Sequence, residues 1–86
     1  MYKLLLSAKA LEFYNKLYSS DRSHFWRVDA ALESLKTSPL QGKPLKRNLK
    51  GMFSLRVGMY RMIYTVDKKI ITVNVLKIGH RREVYN

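Results

Sequence analysis

The chain has 86 residues, no cysteine, and a formal net charge of +11 from 17 Lys and Arg against 6 Asp and Glu. That length suits one domain spanning 1–86, and the lack of cysteine excludes disulfides and thiolate metal sites while fitting a reducing cytoplasm. No apolar run approaches the ~20 residues that span a membrane, and the opening MYKLLLSAKA is too short to be a secretory segment.

Tyr2 to Leu6 suits a short first strand. From Ala8 onward Ala10, Leu11, Tyr14, Leu17 and Tyr18 fall on one face of a helix. Ser19, Ser20 and Asp21 interrupt that helix and offer N-caps for a second. In the second, Phe25, Val28, Leu32 and Leu35 recur at helical spacing, and Pro39 forces a stop near Thr37. So short a link makes the two helices antiparallel. Phe13, Tyr14, Phe25 and Trp26 are read as helix-packing groups.

Residues 38–51, SPLQGKPLKRNLKG, hold both prolines and two glycines, and form a loop or edge connection with a basic rim of Lys43, Lys46, Arg47 and Lys50. After this the period becomes two. A two-residue turn at Gly58-Met59 pairs Val57 with Tyr60 and Arg56 with Arg61. It puts Phe53, Leu55, Val57, Tyr60, Met62 and Tyr64 on a core face and Ser54, Arg56, Arg61, Ile63 and Thr65 on an open one. Asp67-Lys68-Lys69 makes the next turn, and a strand from Ile70 to Ile78 continues the core face with Ile71, Val73 and Val75. Gly79 is expected to break that strand, with Arg82 to Tyr85 adding a last short one. The order β-α-α-β-β-β(-β) gives an α+β fold: an antiparallel sheet of three to five strands with both helices packed on one face.

Charge is distributed unevenly. Residues 1–42 carry six basic and four acidic groups, whereas residues 43–86 carry eleven and two. A half so basic attracts polyanions at long range, and nucleic acid or an acidic protein partner both fit. Arg56 opposite Arg61 is unfavourable unless an anion sits between them, and phosphate is the natural one.

Most catalytic chemistries lack their residues here. His24 and His80 lie on separate elements without ligand spacing, there is no Gly-rich phosphate loop, and no serine stands with a histidine and an acid. Metal-free chemistry on RNA needs none of these, because RNA brings its own 2′-hydroxyl nucleophile. The protein has only to align it, stabilise charge on phosphorus and move protons. Arg61 and Arg81 suit the charge, Tyr85 suits stacking or proton transfer, and His80 titrates in the right range if it points into the site. Each has a plainer reading too: a surface strand residue for Arg61, a packing group for His80 or Tyr85, an ion pair for Arg82 with Glu83.

At these residues the chain resembles the RelE branch of the RelE/ParE toxin superfamily. The resemblance runs nearly full length through P-L-x-x-x-L-K-G (Pro44 to Gly51), L-R-V-G-x-Y-R-x-I-Y (Leu55 to Tyr64) and I-G-H-R-R-E-V-Y (Ile78 to Tyr85). It implies a type II toxin–antitoxin toxin that cuts mRNA in the ribosomal A site without metal or cofactor. Carried over by position, Arg61 would hold the scissile phosphate and Arg81 would stabilise the transition state or protonate the leaving 5′-oxygen. Tyr85 would orient the substrate near the 2′-hydroxyl, with Arg56 assisting. Lys43, Lys46, Arg47, Lys50 and Arg82 would hold RNA or ribosome, and an acidic RelB-like antitoxin would cover the basic face. The chain departs from active members at Met52 and Ser54, where those carry lysines; Lys46, Arg47, Lys50 or His80 could compensate. A ParE-like gyrase inhibitor and a ribosome-binding homologue with weakened cleavage are the alternatives.

Overall fold

Ser7 starts the first helix: its Oγ accepts the Ala10 N–H at 3.1 Å and donates to the Leu76 carbonyl at 2.7 Å. Asp21 does two tasks at once. Its backbone N–H closes the first helix on the Leu17 carbonyl at 2.9 Å, and its side chain caps the second through the His24 N–H at 3.2 Å. These caps bound α1 (Ala8–Ser20) and α2 (Arg22–Leu35) in the computed structural model, which describes residues 1–82. One linking residue folds the pair back on itself. The Tyr14 hydroxyl donates to Asp29 at 2.7 Å, and the Tyr14 and Tyr18 rings pack on Phe25 at 4.8 and 5.0 Å. Among the described residues no helix is long and apolar enough to cross a membrane.

The strands are β1 (Lys3–Leu6), β2 (Lys43–Pro44), β3 (Met52–Val57), β4 (Tyr60–Asp67) and β5 (Thr72–His80), with a 3₁₀ turn at Arg47–Leu49. They form one five-stranded sheet in the order β1-β5-β4-β3-β2. The α+β architecture with two helices on one face is as expected. The sheet is mixed, however: β2 to β5 pair antiparallel, while β1 runs parallel to β5, Lys3 beside Thr72 through Leu6 beside Val75. The helix hairpin returns the chain to the opposite edge, so β1 is left beside the last strand.

The core lies between the helices and one sheet face. Ala10, Leu17, Phe25, Val28, Leu32 and Leu35 pack on Val57, Met62, Tyr64, Val73, Val75 and Ile78. Each fully buried large side chain contributes roughly 1.5–3 kcal/mol. Phe53, Leu55 and Tyr60 pack on this core half-buried, so the expected hairpin face is correct. The buried Tyr64 ring sends its hydroxyl to the Gly42 N–H at 2.9 Å, and a Cβ at Gly42 would stand 2.6 Å from that oxygen. Only glycine admits the contact.

Three expectations are corrected. Ile71 is 51 % exposed, at φ 50, because Asp67 Oδ1 accepts the N–H groups of Lys69 and Ile70 and extends the turn through residue 71. Gly79 does not end the strand; it pairs with Arg61, and β5 runs on to His80. The open face is in part closed, with Ser54 and Ile63 only 4 % and 6 % exposed. Of the expected last strand, Arg82 lies in a turn and residues 83–85 lie outside the described residues.

β5 also carries a bulge. Tyr64 pairs with Val75 but Ile63 pairs with Lys77, so Leu76 has no partner on β4. One surplus residue reverses the alternation beyond it. Ile78 goes to the core, while positions 77 and 79 join the face of Arg61.

Candidate functional site

Two rows of residues cross the sheet on the side away from the helices. One runs Arg56–Arg61–Gly79, the other Lys43–Ser54–Ile63–Lys77. The two-residue turn makes Arg56 and Arg61 a non-hydrogen-bonded pair, with Cα atoms about 4.5 Å apart. Gly58 at φ 61 supplies the backbone that turn demands. Neighbours hold the two like charges in place. Arg61 Nη1 donates to Ser54 Oγ at 3.1 Å and its Nε is shielded from solvent, while Arg56 Nε donates to the Gly58 carbonyl at 3.1 Å. On the other flank of Arg61 stands Gly79, its partner on β5, which has no side chain.

Arg81 comes to this end of the sheet through its backbone: its N–H donates to the Met59 carbonyl at 2.9 Å, across the hairpin turn. Arg56 and Arg61 therefore stand opposite each other on the hairpin, and the Arg81 backbone is tied to its tip. Lys43, opposite Ser54, is one row away. Lys46, Arg47 and Lys50 do not join them; they surround the 3₁₀ turn at the Met52 end of β3, about 13 Å along the strand from Arg56. Arg82 is exposed in the final turn. Tyr85 lies outside the described residues, as does Glu83.

His80 is not placed beside Arg61. It pairs with Tyr60 on the helix side, ring centroids 6.3 Å apart, and its Nδ1 accepts the Arg82 N–H at 3.3 Å. The expectation of His80 as proton-transfer group beside the arginines is corrected by the bulge, which sends it to the other face.

The hairpin turn is gripped from behind by the start of α2. Asp21 Oδ2 lies 2.9 Å from His24 Nδ1 and accepts from the Tyr60 hydroxyl at 3.3 Å, and His24 Nε2 faces Arg27 Nη1 at 3.4 Å. The His24 backbone N–H, and then its ring, hold the Asp21 carboxyl below its ordinary range. Burial, with Asp21 close by, pushes the Tyr60 phenol up. A Cβ on Gly58 would stand 2.8 Å from His24 Nε2. Helix α2 thus fixes the turn that carries both the Arg56 acceptor and the Arg81 anchor. Sequence reading passed over Asp21 as more than a cap, along with His24, Ser54 and Lys77. Only the Ser54–Arg61 contact was within its reach, since both were assigned to one face.

Residues 4–85 match the family described as ParE toxin of type II toxin–antitoxin system, parDE. Toxin RelG of Mycobacterium tuberculosis is 44 % identical over 59 residues, covering 67 % of this chain and 68 % of the relative. Among solved structures, the toxin–antitoxin complex RelBE2 of M. tuberculosis superposes with a TM-score of 0.81 at 34 % identity, covering 93 % of this chain and 98 % of the other. The intact RelBE toxin–antitoxin complex of E. coli gives a TM-score of 0.73 at 26 % identity, over 93 % and 96 %.

Proposed function

Because the chain belongs to the RelE/ParE superfamily of type II toxin–antitoxin toxins, on its RelE branch, we propose that it is an endoribonuclease that cuts mRNA in the ribosomal A site. The observation that supports this reading best is Arg56 opposite Arg61 on one hairpin, with Gly79 beside Arg61 and the Arg81 backbone tied to the turn.

In this reading a phosphodiester lies against the sheet face beside Gly79 and Arg61 donates to its non-bridging oxygens, with Arg56 adding charge from the next strand. The 2′-oxygen attacks the adjacent phosphorus, and the bond to the 5′-oxygen breaks. The products are a 2′,3′-cyclic phosphate and a free 5′-hydroxyl. The 2′-hydroxyl gives up one proton and the departing oxygen gains one. Charge on the pentacoordinate phosphorus peaks between these events, and Arg81 meets it there. Tyr85 orients the nucleotide beside the 2′-hydroxyl. Ser54, where active relatives carry a lysine, serves instead to hold Arg61 in line, and Lys43 brings a lysine charge opposite Ser54 from the edge strand. The partner is an acidic RelB-like antitoxin, whose carboxylates neutralise the same face.

Purified protein added to programmed ribosomes should leave mapped 3′ ends within the A-site codon, and induced expression should arrest growth. Arg61→Ala and Arg81→Ala should each lower cleavage by a hundredfold or so, as expected when one charge-stabilising group is removed, with circular dichroism unchanged. Intact message at high protein concentration, or full toxicity in both variants, overturns the reading. The matched family's ParE description favours a second reading, a DNA gyrase poison; inhibited supercoiling beside intact message would establish that one instead.

A further inference from the structure

The carboxylate of Asp21 lies on the helix side of the sheet and holds both ends of the hairpin turn. On one side its Oδ2 fixes the His24 ring through Nδ1 at 2.9 Å. The edge of that ring abuts Gly58, where an added Cβ would stand 2.8 Å from Nε2 and 3.0 Å from Cδ2. On the other side Oδ2 accepts from the hydroxyl of Tyr60, the residue that follows the turn, at 3.3 Å. The Tyr60 ring is itself braced edge-on, 5.2 Å from His24 and 5.6 Å from Phe13. Residues 58 and 59 are thus caught between two attachments to a single oxygen. The second oxygen, Oδ1, is occupied by the His24 backbone N–H at 3.2 Å. A carboxylate can accept at both positions, whereas an amide has one acceptor oxygen and can cap the helix or hold the ring and phenol, not both.

The turn passes this constraint to an arginine. The Gly58 carbonyl receives Arg56 Nε at 3.1 Å, and the Met59 carbonyl receives the Arg81 N–H at 2.9 Å. Guanidinium nitrogens donate from one rigid plane, so anchoring Nε restricts the plane from which the Nη pair donates. Arg56 is exposed and stands opposite the like-charged Arg61. Without an anchor such a side chain samples many rotamers, and few of them aim at one phosphate.

We propose that Asp21 is a positioning residue for RNA cleavage, setting Arg56 against the scissile phosphate through His24, Tyr60 and the Gly58 carbonyl. This role rests on the RNA-cleaving reading and adds to it a side chain that touches no RNA.

Turnover on programmed ribosomes tests it. Arg56→Ala should lower kcat roughly tenfold and Asp21→Asn about fivefold, each with KM within about twofold of the parent. A residue that acts through another loses its effect once that other is gone. In an Arg56→Ala background, Asp21→Asn should therefore cost less than about twofold more. Losses that multiply to about fiftyfold in the double variant overturn the proposal, as does parental kcat in a folded Asp21→Asn protein. Tyr60→Phe removes one attachment and leaves the cap of α2 intact. It should show the same non-additivity at a smaller loss, and it decides the matter if Asp21→Asn does not fold.

Hydrogen exchange of the free full chain, followed by NMR, reads the clamp without activity. The Arg56 Nε–H and the Arg81 amide should exchange several-fold faster in Asp21→Asn and Tyr60→Phe than in the parent. Unchanged exchange beside normal parental cleavage refutes the positioning role alone. Faster exchange beside a parent that leaves message intact refutes the RNA-cleaving reading, while the hold of Asp21 on Arg56 stands.

Discussion

Ser54 and Asp21 show how much one side chain can set. Ser54 contributes no charge, yet its Oγ receives Arg61 Nη1 at 3.1 Å and so helps to orient a guanidinium that stands opposite the like-charged Arg56. Asp21 ends one helix, starts the next, and binds both His24 and Tyr60. Its depressed carboxyl has a definite sign in acid. The stability it contributes is fully present above its unfolded value of 3.8 and is lost as pH falls through the lower folded value. Asp21→Asn keeps a capping acceptor and removes the charge. Its deficit in urea midpoint against the parent should therefore be larger near pH 5 than near pH 3, with equal or opposite behaviour refuting the assignment. Gly58 offers a second measurement. Gly58→Ala should lose about 2 kcal/mol, from left-handed strain together with the clash against His24. In a His24→Ala background only the contact with Nη1 of the flexible Arg27 side chain, at 3.0 Å, remains of the steric part, so the double-mutant cycle should show coupling of about 1 kcal/mol.

At the scale of elements, the bulge in β5 decides which chemistry faces which way. Deleting Leu76 should leave a regular ladder with every later residue on its present face, and a protein that folds at a cost of about 1–2 kcal/mol. Deleting Ile63 from β4, where no surplus residue exists, should invert half that strand and abolish cooperative unfolding. Circular dichroism during a denaturant titration distinguishes the two. The same feature explains what could be read from the chain alone. The hairpin from Met52 to Tyr64 was legible because one buried face and one obligatory glycine turn leave a single register, and with it came Arg56 opposite Arg61. Both helices were legible from spacing, and the second from its cap at Asp21; the Ser7 cap of the first was not, and Ser19 and Ser20 belong to α1 rather than interrupting it. Beyond Val75 the reading failed: counting by twos carries Lys77, Gly79 and Arg81 toward the core and His80 outward, and no local signal marks Leu76 as the extra residue. Ile71 was misassigned for a related reason, since an apolar β-branched residue counts as strand until Asp67 is seen to hold the turn open. The α2 clamp joins residues 39 apart, a separation that spacing alone does not span.

For the molecule as a whole, +11 on 86 residues is a standing repulsion. Adding sodium chloride from about 10 mM to 150 mM shortens the Debye length from roughly 30 to 8 Å, so the thermal midpoint should rise by several degrees. A falling midpoint would mean that the surface ion pairs outweigh that repulsion. The parallel seam between β1 and β5 has a different consequence. A nascent chain can wind its two helices early, but Lys3 to Leu6 have no place to dock until Thr72 to Val75 have been synthesised. The poison is thus assembled only after its fifth strand has left the ribosome, and the cell gains that interval to have an antidote waiting.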